Sequence, residues 1–232
     1  FWQALELLRV SAKFDLPHVV GGVFPTAAPD VCLSFKEVNA IGIGEGEEIL
    51  KACIKAIEQG RGFDDIQGVW SKKSDGQIIK SNKPPLVDIN QLQADYDLFD
   101  EVRFMRPMGG RIFKTIPVET YRGCPYTCTY CNSPMHLEFA KKDGQPSFLR
   151  RKTISRVREE LRQVVDRYDP GFIYFVDDSF LARPKKEIFE FCEMYSEFKL
   201  PFWFNTRPEN CTPEIMEALK EVGVYRISFG IE

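Results

Sequence analysis

Apolar residues recur along the first eighty residues with the spacings of two kinds of element. Residues 2–14 and 47–59 carry apolar side chains every three or four positions, which predicts amphipathic helices. Residues 18–21 and 38–43 are short apolar runs that lead into glycines and predict strands. Strands that alternate with helices indicate parallel βαβ units. An Asp-Gly pair at residues 75–76 predicts a hairpin turn.

The second half of the chain has a more regular alternation. Residues 81–113 lack a sustained period and contain a Pro-Pro pair, which predicts a linker and a domain boundary near residue 105. The predicted strands that follow are 116–120, 172–176, 201–205 and 225–231, and the predicted helices are 153–167, 185–198 and one that begins at Pro213 and ends before Gly223. Thr153 and Thr212 are the expected N-caps. Four strands with three intervening helices fit half of a (β/α) barrel.

Composition and charge narrow the class of protein. The chain is 44% hydrophobic and 28% charged with a formal net charge of −3, which is typical of a globular protein and gives no basic excess for binding nucleic acid. No apolar run approaches the roughly 18 residues of a membrane span, and the start does not resemble a signal peptide. We therefore expect a cytoplasmic location. Neither end resembles a domain edge, so we expect an internal piece of a longer protein.

Three of the seven cysteines form a compact motif. Cys124, Cys128 and Cys131 lie in Arg-Gly-Cys-Pro-Tyr-Thr-Cys-Thr-Tyr-Cys-Asn-Ser-Pro, with three and then two residues between them. An odd cysteine count without a secretory signal argues against a disulfide framework. Three thiolates at this spacing suit one metal centre, and in a 4Fe-4S cluster they leave one iron open. The alternative is a zinc site, for which His136 would supply the fourth ligand.

The cysteine motif resembles that of the radical S-adenosylmethionine superfamily, because CxxxCxxC follows a predicted barrel strand. The resemblance implies that the open iron binds the amine and carboxylate of S-adenosylmethionine. Electron transfer from a donor such as flavodoxin or ferredoxin then cleaves this cofactor to a 5′-deoxyadenosyl radical. By the same resemblance, Tyr130 lies beside the adenine.

Further candidate residues follow the later predicted strands. The sequence Phe-Val-Asp-Asp-Ser-Phe ends the second strand of the barrel, where the superfamily places a Gly-Gly-Glu motif that contacts the methionine amino group. Asp177, Asp178 and Ser179 stand in its place. Their alternative role is to cap the next helix. Arg207 and Glu232 match positions that approach the cofactor, although a charge at such a position is also often only solvated.

Two glycine loops in the first domain carry a second resemblance. The segments His-Val-Val-Gly-Gly-Val-Phe-Pro-Thr and Ile-Gly-Ile-Gly-Glu-Gly-Glu resemble the last part of a cobalamin-binding, Rossmann-like domain. The matching positions are Gly21, Gly22, Thr26, Gly44 and Glu45. Glycine lets the backbone approach a cofactor closely because it has no Cβ. The alternative is that these are ordinary turn glycines in a domain without a cofactor.

These observations predict an α/β protein. Residues 1–105 are expected to form the C-terminal part of a cobalamin-binding Rossmann-like domain with a linker, and residues 106–232 the first half of a radical S-adenosylmethionine barrel. The predicted function is radical cleavage of S-adenosylmethionine by a 4Fe-4S cluster, with cobalamin-dependent methyl transfer or related radical chemistry on an unidentified small molecule or peptide. The alternatives are a radical enzyme without cobalamin, a non-catalytic iron–sulfur or zinc protein, and a tRNA-modifying relative.

Overall fold

The computed structural model describes residues 1–231 and divides the chain after Val87 into two compact units. The predicted boundary near residue 105 therefore falls inside the second unit. Among the described residues, no helix combines the length and the apolar character that crossing a bilayer requires.

The first unit contains four helices and a small sheet. Its helices are α1 (Trp2–Ser11), α2 (Val23–Ala27), α3 (Pro29–Ser34) and α4 (Gly46–Glu58), and its strands are β1 (Ala40–Gly42), β2 (Val69–Lys72) and β3 (Ile78–Ile79). The helix and hairpin predictions are confirmed, whereas α2 and α3 were not predicted. The predicted strand at residues 18–21 is reduced to one parallel bridge between Val20 and Ile41.

The expectation of parallel βαβ units agrees with the Val20–Ile41 bridge but does not extend across α4, because β1 and β2 pair antiparallel. Residues 59–68 carry the chain from the end of α4 back to the carboxyl end of β1 before β2 begins. There the Gly68 carbonyl accepts a hydrogen bond of 2.8 Å from the Ile43 N–H. The strand that follows can therefore only run in the opposite direction to β1.

The second unit contains a curled five-stranded sheet with helices on one side and a separate two-stranded sheet of β6 and β7. Its strands are β4 (Met105–Met108), β5 (Arg111–Val118), β6 (Tyr121–Arg122), β7 (Arg150–Arg151), β8 (Phe172–Phe175), β9 (Phe202–Thr206) and β10 (Val224–Phe229). Its helices are α5 (Ser133–Lys142), α6 (Ile154–Tyr168), α7 (Lys185–Tyr195) and α8 (Pro213–Glu221). The strand order is β10-β9-β8-β5-β4, in which all pairs are parallel except β4 with β5. The four parallel strands and three crossover helices confirm the predicted half barrel.

The core of this unit lies between the sheet and its helices. Ile116, Val118 and Phe175 point from the strands into a cluster with buried residues of α6, α7 and α8. The Phe175 ring lies 5.2 Å from the Phe191 ring in an edge-to-face arrangement. Burying such a side chain contributes about 1.5–3 kcal/mol to folding. The apolar core therefore lies on the convex face of the sheet, between the strands and the helices. The concave face is not covered by these helices.

Helix caps fix where the crossover helices begin. The Thr153 hydroxyl accepts a hydrogen bond of 3.2 Å from the Arg156 N–H at the start of α6. The Thr212 hydroxyl accepts one of 3.5 Å from Ile215 at the start of α8, where Pro213 occupies the first position. Both predicted N-caps are confirmed.

Residues 88–104 belong to the second unit because they are bonded to its strands and helices. The Tyr96 hydroxyl donates a hydrogen bond to the carbonyl of Pro117 in β5, and the Tyr96 N–H donates one of 3.1 Å to the hydroxyl of Tyr168 in α6. The Thr153 N–H donates one of 2.8 Å to Asn90 Oδ1. These contacts explain why the division of the chain lies earlier than composition alone indicates.

Candidate active site

The parallel strands all end at one edge of the sheet, and a cavity of about 430 Å³ lies there. Its lining combines the cysteine loop and the start of α5 with residues at, or directly after, the carboxyl ends of β8, β9 and β10. The lining residues are Cys124, Tyr126, Cys128, Tyr130, Cys131, Asn132, Ser133, Val176, Asp177, Asp178, Ser179, Asn205, Thr206, Arg207, Ser228, Phe229 and Gly230. The carboxyl edge of a parallel sheet is where (β/α) enzymes carry their active sites.

The chain turns from β5 into the cysteine loop through the two-stranded sheet of β6 and β7 and through Gly123. Strands β6 and β7 pair antiparallel through Tyr121 and Arg151. Gly123 then takes a φ of +93°, and a Cβ there would lie 2.9 Å from the Phe148 ring. Only glycine fits this position without strain or displacement. The loop closes with a hydrogen bond of 3.1 Å from Cys131 N to Cys128 O.

Each of the three motif sulfurs has a hydrogen-bond donor. Arg207 Nη1 lies 3.6 Å from Cys128 Sγ, and the Ser133 N–H lies 3.5 Å from Cys131 Sγ. The Tyr126 N–H donates a hydrogen bond to the Cys124 sulfur, which partly offsets burial, the larger effect, so that the pKa of the Cys124 thiol remains raised. Such donors stabilise negative charge on sulfur, as the thiolate ligands of an iron–sulfur cluster require.

The three cysteines that line the cavity supply the ligand type that a 4Fe-4S cluster takes. Among residues 1–231, no group of three His, Cys, Asp or Glu side chains is placed to hold one metal ion. A 4Fe-4S cluster is larger and takes its thiolates on separate irons. His136, the candidate fourth zinc ligand, stacks on the Phe148 ring at 5.0 Å and has its Nε2 3.2 Å from Asn132 Nδ2.

The Asp177 carboxylate serves the framework beneath the cavity. It is 1% exposed, and Oδ1 accepts hydrogen bonds from the N–H groups of Thr120 (2.7 Å) and Tyr121 (3.0 Å). Oδ2 accepts one of 2.7 Å from Arg183 Nη2 and another from the Thr120 hydroxyl. Asp177 therefore ties the end of β8 to the end of β5, and its oxygens are committed to the protein.

Asp178 and Ser179 leave polar atoms available at the cavity wall. The Asp178 carboxyl has its pKa raised by partial removal from water and by the nearby Asp177 carboxylate, while the Ser133 hydroxyl hydrogen bond lowers it. Ser179 is 2% exposed, and among the described residues its Oγ has no hydrogen-bond partner. A buried hydroxyl without a partner costs about 1–3 kcal/mol unless a ligand satisfies it.

The remaining predicted cofactor-binding residues of the barrel are Arg207, Tyr130 and Glu232. Arg207 lies over the Tyr126 ring at 4.3 Å, so its guanidinium connects that ring with Cys128. Tyr130 lines the cavity with 71% of its surface exposed. Glu232 lies outside the described residues.

Sequence reasoning missed several residues of this cavity. The Tyr126 hydroxyl donates a hydrogen bond of 2.8 Å to Asn210 Oδ1, which joins the cysteine loop to the segment after β9. Asn132 and Ser133 line the cavity because α5 begins directly after the third cysteine. The Ser-Pro pair at 133–134 is a typical helix start and was the available signal.

The glycine loops of the first unit also meet. Gly22 follows the Val20 bridge and Gly44 follows β1, so both loops lie at the carboxyl ends of neighbouring parallel segments. The Thr26 hydroxyl donates a hydrogen bond of 2.9 Å to Gly22 O and accepts one of 3.0 Å from Gly44 N.

The space above these loops is open within the unit. A Cβ added at Gly21 or Gly22 would meet no protein atom within 4 Å. Glu45 is partly engaged, because its Oε2 accepts a hydrogen bond of 3.0 Å from Val87 N. The loops thus leave room for a ligand to approach the backbone.

Comparison with known proteins gives matches for both halves of the chain. The sequence pattern of the Radical SAM superfamily matches residues 118–232. The anaerobic magnesium-protoporphyrin IX monomethyl ester cyclase of Rubrivivax gelatinosus is 27% identical over 244 residues, which cover 100% of this chain and 41% of the cyclase. An uncharacterized methyltransferase of Pyrococcus horikoshii is 29% identical over 223 residues, which cover 92% of this chain and 45% of that protein. The chain thus spans less than half the length of these relatives.

A solved structure has a similar fold over the whole chain. It is the cobalamin-dependent S-adenosylmethionine radical enzyme OxsB with aqua-cobalamin and S-adenosylmethionine bound, which aligns with a TM-score of 0.65 and 22% identity. The alignment covers 100% of this chain and 33% of that one. At this identity the likeness establishes the fold.

Proposed function

We propose that the protein is a radical S-adenosylmethionine enzyme whose 4Fe-4S cluster is held by Cys124, Cys128 and Cys131, because the sequence pattern of the Radical SAM superfamily matches residues 118–232. The observation that carries the proposal is that the three sulfurs line one cavity at the carboxyl edge of the sheet, each beside a hydrogen-bond donor. Such a cluster supplies the electron that divides S-adenosylmethionine into methionine and a 5′-deoxyadenosyl radical.

The cavity offers polar groups suited to the amino-acid end of the cofactor. Asp178 places a carboxylate there for an ammonium group, and the buried Ser179 hydroxyl still needs a partner. Arg207 pairs through Nε with Glu209 (2.6 Å) and has Nη1 beside Cys128, where the same guanidinium can also bind a carboxylate of the cofactor. The exposed Tyr130 ring offers a face for the adenine. We assign Asp177 a positioning role, because its oxygens are already bonded to the protein.

A cobalamin site in the first unit is the second part of the proposal. Gly21, Gly22 and Gly44 leave open backbone for the cofactor, Thr26 holds the two loops together, and Glu45 fixes the second loop. The bound cobalamin of the structurally similar OxsB supports this reading. Cobalamin carries a methyl group for transfer, and the methyltransferase name of the Pyrococcus relative agrees with that chemistry. A flavodoxin or ferredoxin is the proposed electron donor.

Electron paramagnetic resonance tests the cluster. The full-length protein is reconstituted anaerobically, reduced, and measured with and without S-adenosylmethionine. We expect a 4Fe-4S signal that shifts with the cofactor and is lost in Cys128→Ala. The matched control is Cys192→Ala, because Cys192 is buried in the convex core. Stoichiometric zinc, or a cluster that does not respond to S-adenosylmethionine, would overturn the proposal.

Cobalamin content tests the first unit. Gly21→Val adds a side chain whose Cβ has no protein atom within 4 Å, so the fold should tolerate it while a cofactor on the loop would clash. We expect the purified, reconstituted variant to lose most of its cobalamin absorbance. Gly62→Val is the matched control, because Gly62 also faces open space but lies in the loop after α4. Equal cobalamin in all three proteins, or none in the wild type, would refute this site and favour the radical enzyme without cobalamin.

A further inference from the structure

A second cavity of about 620 Å³ lies on the concave face of the second unit. Strand alternation produces it: Ile116 and Val118 enter the convex core, so Thr115 and Pro117 face the other side of β5. The full lining is Tyr96, Phe99, Arg103, Phe104, Arg106, Thr115, Pro117, Tyr174, Val176 and Trp203. Val176 also lines the cysteine cavity, so the two spaces share a wall.

Aromatic rings form most of this wall. The Tyr174 and Trp203 rings stack with centroids 4.1 Å apart. Their polar atoms are already engaged, because Trp203 Nε1 donates to Ser228 Oγ (2.9 Å) and the Tyr174 hydroxyl accepts from Asn205 Nδ2 (2.7 Å). Tyr174 and Trp203 therefore present ring carbon atoms to the cavity, and such a surface favours an apolar or aromatic ligand.

Two arginines interrupt this apolar wall. Arg103 and Arg106 are exposed, and within the described part of the chain neither forms an ion pair. Elsewhere on the same unit, Arg158 and Arg162 both pair with Glu197. Guanidinium groups without an acidic partner bind carboxylate or phosphate oxygens through paired N–H donors.

We propose that this cavity binds the substrate of the proposed radical reaction and selects a ring-containing apolar molecule that carries an acidic group. The inference rests on the proposed function for its role as a substrate site, because the shared Val176 wall places a ligand next to the cysteine cavity. The volume lies within the roughly 300–1,000 Å³ typical of small-molecule sites. The aromatic wall receives the rings, and Arg103 and Arg106 receive the acid.

Isothermal titration calorimetry with two matched probes tests the selectivity. Naphthalene-2-carboxylate carries the acid, and naphthalene-2-carboxamide has the same rings without the charge. We expect the anaerobically reconstituted full-length protein to bind the carboxylate at least ten-fold more tightly than the amide. The double variant R103Q/R106Q should lose this preference while its affinity for the amide stays unchanged.

The control variant is Arg111→Gln, because Arg111 is exposed on the same hairpin but does not line the cavity. It should retain the wild-type preference, and unchanged melting temperatures should show that all variants are folded. Equal affinity for both probes, no measurable binding of either, or a preference that survives in R103Q/R106Q would overturn the proposal.

The binding assay tests the substrate class independently of the proposed radical chemistry. Calorimetry requires neither reductant nor S-adenosylmethionine, so Cys128→Ala should bind naphthalene-2-carboxylate with wild-type affinity. A selective cavity in a protein without a responsive cluster would refute the proposed function alone. A responsive cluster without probe selectivity would refute the substrate class alone.

Discussion

Replacing Asp177 with Asn should destabilise the second unit strongly, because it leaves a buried guanidinium without its counterion. The Arg183 and Asp177 side chains are 6% and 0% exposed, and their closest N–O distance is 2.7 Å. An Asn oxygen can still accept from Thr120 and Tyr121, but its NH₂ group then faces the Arg183 donors. Breaking one side of a buried ion pair costs about 3–5 kcal/mol. For a chain of this size that loss lowers the melting temperature by roughly 6–20 °C.

Thermal unfolding followed by circular dichroism measures this effect under anaerobic conditions. Asp178→Asn is the matched control, because Asp178 faces the cavity and its loss should lower stability by less than about 1 kcal/mol. The same control should weaken S-adenosylmethionine binding. A melting temperature of Asp177→Asn within about 2 °C of the wild type, or an equal loss in Asp178→Asn, would refute the assignment of Asp177 to the framework.

Three further predictions concern neighbouring features. Gly123→Ala should lower the iron content after reconstitution, because a Cβ would lie 2.9 Å from Phe148 at a φ of +93° and displace the cysteine loop; unchanged iron would contradict this. Thr153→Ala should cost about 1 kcal/mol in thermal unfolding, since it removes the N-cap of α6, whereas Thr153→Ser should restore most of the loss. Glu160→Gln should cost about 3–5 kcal/mol, because it leaves the Lys152 ammonium buried without its 2.6 Å partner, and a stability equal to wild type would count against this reasoning.

The sequence was sufficient for the elements that local signals define. The four parallel strands, the three crossover helices and the caps at Thr153 and Thr212 all have a clear apolar period or a start residue. Strand β5 was predicted too short, because Arg111 and Ile112 pair with β4 outside the apolar core. Hairpin partners of this kind are fixed by cross-strand pairing and leave little periodic signal.

Contacts distant in sequence account for what could not be predicted. The sequence predicts that Asp177 and Asp178 both contact the cofactor, whereas the structure gives the two side chains different surroundings. Asp177 faces Arg183 and the ends of β5, whereas Asp178 and Ser179 line the cavity. The direction of β2 likewise depends on the path of residues 59–68, which have no helical or strand period. The aromatic cavity was also missed, because three of its rings come from residues 88–104, which composition marks only as a linker.

Because of the β4–β5 hairpin, further parallel strands can be added to the sheet at one edge only. Strand β4 runs against its neighbours, so it terminates the parallel register on the β5 side. Its third residue, Pro107, has no N–H to offer to an additional strand, as is common for edge strands that resist pairing. Any further parallel strand must therefore add beyond β10. The parallel part of the sheet therefore ends at β5, and the edge strand β4 contributes Arg106 to the lining of the aromatic cavity.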